Sequence, residues 1–125
     1  MSAVSQLAAL VTALIHVQIF VMESVLWPRP AVHRRFGIRS AEDAVTTRPL
    51  MLNQGFYNLF LALGIGIGLV MVHTGPDSAG RAIVIFCCAS IVGAAAVLLG
   101  TDRKLARAAL VQGIPPAVAL LALAL

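Results

Sequence analysis

The sequence predicts an all-α protein, a bundle of four transmembrane helices forming one integral membrane domain over residues 1–125. Three observations predict it: a composition too apolar for a soluble domain, four apolar stretches of spanning length, and basic residues gathered in two of the three connecting segments. Of 125 residues, 60% are hydrophobic and 11% charged, and mean hydropathy is +0.96. An ordinary globular domain is about 25% charged, and a chain this small needs proportionally more polar surface than a large one. A large soluble enzyme, a disordered chain and a multidomain protein are thereby excluded. The net charge of +4 is not a nucleic-acid footprint, because the cations sit between apolar segments rather than along one face.

The stretches run about 3–27, 49–72, 82–100 and 105–125, and Glu23 and Arg107 are the only Asp, Glu, Lys or Arg residues in them. Each is near the roughly 20 residues that a helix needs to cross the hydrocarbon. Runs such as Ala117 to Leu125 show no alternation of apolar and polar residues, which argues against strands. The first stretch reads as a retained helix, since no Lys or Arg precedes it and its apolar run is long for a signal peptide.

Orientation follows from the cations. Arg29, Arg34, Arg35, Arg39 and Arg48 lie between the first two stretches, and Arg103, Lys104 and Arg107 between or at the edges of the last two. The middle connection has only Arg81. The positive-inside rule therefore places both basic connections in the cytoplasm and both termini outside. The first connection is the long one. Pro28 and Pro30 end the first helix, and Ser40-Ala41-Glu42-Asp43 reads as an N-cap opening a short helix to Thr47. Val32, Phe36 and Ile38 among arginines fit a segment lying at the headgroups; the alternative is a solvated loop held by anionic lipid headgroups at Arg29, Arg34, Arg35 and Arg39. Gly75, Pro76 and Gly80 mark the outer turn.

Polar groups within apolar spans are costly and usually face a bundle interior. Ser5, Thr12, His16 and Glu23 fall within about 40° of one another at 100° per residue, a single stripe along the first helix. Gln18 points away from it. In the second helix Asn53 with Tyr57, and Gln54 with Asn58, are i,i+4 pairs sharing an arc of about 140°. Ser90 comes from the third helix. In the fourth, Gln112 precedes Pro115 and Pro116, which cannot donate to the carbonyls of Val111 and Gln112. Counted at about 1.5 Å per residue from the basic ends, Glu23 lies about 6 Å deep, Gln54 about 8 Å, Tyr57 and Gln112 about 12 Å, and Asn58, Ser90 and His16 about 14–17 Å. Groups from all four helices thus collect in one half of the span. The ligand-binding candidates are His16, Glu23, Asn53, Gln54, Tyr57, Asn58 and Gln112, lining a polar pocket open toward the cytoplasm. The competing reading is hydrogen-bonded helix packing, for which Ser5, Thr12, Gln18 and Ser90 suffice. A carboxylate is an expensive packing device, so Glu23 is either a site residue or one half of an ion pair with Arg29 or Arg34.

Other chemistries lack their residues. His16, His33 and His73 lie at three different depths and no Cys/His ligand set exists, so neither a metal nor a cofactor is expected. Gly64, Gly66 and Gly68 sit inside a span rather than after a strand, where a phosphate loop would be. With Ala89 and Gly93 they form small-residue ridges, for close packing within the bundle or for a homodimer seam. Cys87 and Cys88 read as packed thiols, because a vicinal disulfide is strained. Trp27 fits the interfacial aromatic belt.

His16, Glu23 and Trp27, the Asn-Gln-Gly-x-Tyr-Asn string at 53–58 and Gln-Gly-x-Pro at 112–115 together resemble the bacterial membrane family catalogued as domain of unknown function 1304. The resemblance covers nearly the whole chain. It implies four membrane helices and about this length and supplies no activity; the expected location is the bacterial cytoplasmic (inner) membrane. The residues themselves favour a protein that binds or transports a small polar or amphipathic molecule. The alternatives are a membrane-embedded enzyme using Glu23 and His16 as acid and base on a lipid-like substrate, and a structural subunit of a membrane complex.

Overall fold

The computed structural model describes residues 1–125, and every regular element in it is helical. Helix α1 (Ala3–Phe20) continues into a π-helical turn (Val21–Val25). A single-turn helix α2 (Pro30–His33) and a 3-10 turn (Arg34–Phe36) follow. Then come α3 (Ala41–Thr74), α4 (Asp77–Thr101), a 3-10 turn (Arg103–Leu105), α5 (Ala106–Leu121) and a final 3-10 turn (Ala122–Ala124). Four of these segments, Ala3–Val25, Ala41–Thr74, Asp77–Thr101 and Arg103–Ala124, are long and apolar enough to cross a membrane.

The four long helices form an antiparallel square in which α1 and α4 each pack against both α3 and α5. Ser2 Oγ donates to the Ala122 carbonyl and Ser5 Oγ to that of Ala119, each at 2.8 Å, which ties the two termini together at one end. His73 and Gln6 meet side chain to side chain at the same end, at 2.6 Å. The opposite end carries α2, the α4–α5 turn and eight of the nine Lys and Arg residues. It is called the arginine end below.

The core is built from small residues. Ala9, Ala13, Ala62, Ile65, Val84, Cys87, Cys88, Ile91 and Ala119 form its buried apolar cluster. Both cysteines are free thiols. Glycines set the α3–α4 spacing: a Cβ on Gly64 would lie 2.7 Å from Cys87 Sγ, and one on Gly68 would lie 2.8 Å from the Gly80 carbonyl oxygen. The ridge at Gly64 and Gly68 is therefore used inside the bundle, whereas Gly66 and Gly93 face open space. Gly80 belongs to α4 rather than to the outer turn, which is confined to Gly75-Pro76.

The largest departure from the expected boundaries is α3. The short helix after Ser40 and the second span are one helix of 34 residues. Ser40 caps it as expected, its Oγ accepting the Asp43 N–H at 3.0 Å. Pro49 does not break it. The carbonyl deprived by that ring belongs to Val45, a 73% exposed residue, where an unpaired acceptor costs little. At about 51 Å, α3 is longer than a hydrocarbon core of about 30 Å. The first connection shrinks accordingly, and α4 and α5 also start or end a few residues from the expected limits.

That connection folds into a compact cap. Trp27 is 1% exposed, and its indole N–H donates to the Ala44 carbonyl at 3.1 Å. Phe36 stacks obliquely on it at 5.2 Å between centroids, and buried His33 lies at 6.2 Å. Gly37, at φ 81°, makes the left-handed turn that closes this cap. Trp27 is thus the core of a small cap on the arginine end and not a lipid-facing belt residue. Arg29, Arg34, Arg35 and Arg39 are all exposed, and Arg35 reaches Met22 Sδ at 3.9 Å.

Candidate functional site

The polar stripe of α1 faces inward along its whole length. Ser5 and Thr12 are fully buried, His16 is 1% exposed and Glu23 5%. Ser5 joins α1 to α5, whereas Thr12 donates to the Ala8 carbonyl of its own helix at 2.8 Å. The Thr12 carbonyl in turn lies 2.8 Å from His16 Nδ1. A carbonyl only accepts, so Nδ1 carries the proton of that bond, and in a neutral ring Nε2 is an acceptor. The hydrogen bond thus fixes the tautomer and leaves a lone pair unused by the protein.

Glu23 lies in the π turn, where one extra residue widens the coil and the Leu26 N–H reaches back to the Val21 carbonyl at 2.9 Å. This turn presses into α3 at Gly55. A Cβ there would overlap Ser24 Oγ and lie 3.2 Å from Glu23 Cβ, so only glycine admits the approach. Ser24 Oγ secures it by donating to the Leu52 carbonyl at 2.9 Å. Phe20 and Phe56 meet edge to face beside it at 5.1 Å.

The close approach brings Glu23 to Asn58. The Asn58 amide Nδ2 donates to Glu23 Oε2 at 3.3 Å and to the Gln54 carbonyl at 3.1 Å. No cation comes within ion-pair range of Glu23; the only ion pair in the chain joins Arg81 and Asp77, at 3.3 Å, near the other end. Neither Arg29 nor Arg34 is its partner. A buried carboxylate without a cation is costly, and one long amide contact compensates little of that cost.

The remaining candidates divide. Gln112 is half-buried on the inward side of α5, between Ala109 and Pro116. Of the α3 arc only Asn58 turns inward; Asn53 and Gln54 are exposed, and Tyr57 is 60% exposed. The arc is wider than the face that α3 shares with α1, and Gly55 and Asn58 define that face. Ser90 is also exposed, its hydroxyl donating to the Phe86 carbonyl of its own helix. His16, Glu23, Asn58 and Gln112 thus come from three helices on the arginine side of the apolar cluster. Two apolar hollows of about 600 and 430 Å3 lie on the bundle's flanks and include none of these four. Sequence reasoning missed Ser24 and the role of Gly55. The signal was a glycine among amides, with a serine directly after the glutamate.

No group of His, Cys, Asp and Glu is arranged to hold a metal ion. Comparison with known families matches residues 10–124 to one described as a protein of unknown function, DUF1304. No curated protein and no solved structure matches the chain.

Proposed function

Because the chain belongs to the DUF1304 family, whose description assigns no activity, we propose from its own residues that it binds or transports a small polar or amphipathic molecule. The site is the polar interior at the arginine end, and the protein is multi-pass in the cytoplasmic membrane of a bacterium. The positive-inside rule turns this end toward the cytoplasm.

One observation carries the reading: Glu23 is buried, lacks a cation and is held by a single amide. Helix packing alone would be served better by a glutamine, which needs no charge desolvated. The groups left over, one carboxylate oxygen of Glu23 and Nε2 of His16, are acceptors. They suit a ligand that presents hydrogen-bond donors, such as hydroxyls or an amine. The amides of Asn58 and Gln112 add adaptable contacts. The enzyme alternative is less well supported, because His16 and Glu23 lie two turns apart, about 10 Å along the axis. An acid and a base serving one bond must both come within hydrogen-bond reach of it.

The test is small-molecule and lipid profiling of cells lacking the protein, rescued with wild type or Glu23→Gln. The amide keeps the shape and the Asn58 contact, so the variant should melt within a few degrees of wild type yet fail to restore the profile. A stable variant that restores it fully removes Glu23 from the site. Conversion of the accumulating molecule by purified protein would replace the binding reading with the enzymatic one.

A further inference from the structure

A groove of about 600 Å3 runs between α1 and α5, lined by Ile15, Leu110, Val111, Ile114 and Pro115, with Arg107 at its arginine end. On α5 these residues recur every three or four positions, so they form one face over about 12 Å of helix. Gly113 packs α5 tightly on α4: a Cβ there would lie 2.8 Å from Ala95 Cβ.

Arg107 is exposed and has no ion-pair partner. The nearest acid in sequence, Asp102, is occupied in capping the Lys104 N–H at 3.1 Å. Arg107 does not serve its own helix either, since a cation in the first turn opposes the helix dipole. An apolar trough parallel to the helices, with an unpaired guanidinium at its interfacial end, has the form of one lipid tail and its headgroup. A guanidinium pairs with phosphate oxygens in a planar fork. A second copy of the chain fits less well, because a two-fold contact here would place like charges together.

We propose that this groove binds an acyl chain of an anionic phospholipid whose phosphate rests on Arg107. The site is separate from Glu23 and from the exposed arginines of the cap, and the inference does not depend on the function proposed above.

The test is native mass spectrometry of the full chain in maltoside detergent, titrated with dioleoylphosphatidylglycerol or dioleoylphosphatidylcholine. The anionic lipid should bind about fivefold more tightly, the effect expected of one basic residue at a membrane surface. Arg107→Gln should bring the two lipids to parity, and Ile114→Trp, which fills the trough, should weaken both. Combined Arg29→Gln, Arg34→Gln and Arg35→Gln should leave the preference in place. Glycerol phosphate, the head without the chain, should not compete. Retention of the preference in Arg107→Gln, its loss in the cap variant, or competition by glycerol phosphate would each overturn the proposal. If Ile114→Trp does not fold, the chain-free competitor still decides the matter.

Discussion

Gly55 and Gly66 lie on one helix and should respond to alanine in opposite directions. A methyl on Gly55 collides with Ser24 and crowds Glu23, whereas one on Gly66 meets nothing within 4 Å. Gly55→Ala should force α1 and α3 apart, costing about 1–3 kcal/mol, and lower the melting temperature in detergent. Gly66→Ala should raise it slightly, by the roughly 0.5–1 kcal/mol that alanine gains over glycine in a helix interior. Equal effects at both positions would mean that the Gly55 approach is not tight. At this scale the sequence was partly legible. Helical periodicity put His16 and Glu23 on one inward stripe, because seven residues return nearly to the same angle. It did not separate Asn58 from Asn53, Gln54 and Tyr57. An arc of that width can bury only part of itself, and which part is set by where α1 presses on α3.

Among the elements, the cap and the start of α3 depend on each other. Trp27 fills the cap and its indole supplies a donor to the Ala44 carbonyl, one residue before the carbonyl that Pro49 leaves unpaired. Trp27→Phe removes that donor and part of the buried volume. We expect a loss of about 1–3 kcal/mol and faster trypsin cleavage at Arg34, Arg35 or Arg39 in the folded protein. Unchanged cleavage would show that the cap is held by something other than Trp27. The Ser40 cap was legible from its side chain, but the continuity of α3 was not. Proline reads locally as a stop, and whether its cost is tolerated depends on the solvation of Val45, which only the tertiary arrangement determines. The π turn left no sequence signal either, because it arises from the fit of α1 against Gly55.

For the whole molecule, composition and stretch length were enough to indicate a four-helix bundle, since a chain this apolar has few ways to satisfy its backbone. The unequal interior is a finer property. Toward the termini it is apolar apart from Ser5 and Thr12, while His16, Glu23, Asn58 and Gln112 from α1, α3 and α5 lie toward the arginine end. This second half should admit small polar molecules from the cytoplasm. The most direct measurement places single cysteines at Gln112 and at Ile65 in a chain with Cys87→Ala and Cys88→Ala, and treats inside-out vesicles and intact cells with a small, charged, impermeant thiol reagent. Gln112→Cys should be labelled in vesicles and spared in cells, and Ile65→Cys spared in both. Labelling of Gln112→Cys from intact cells would reverse the orientation, and an unreactive Gln112→Cys in both preparations would contradict the polar, accessible interior itself.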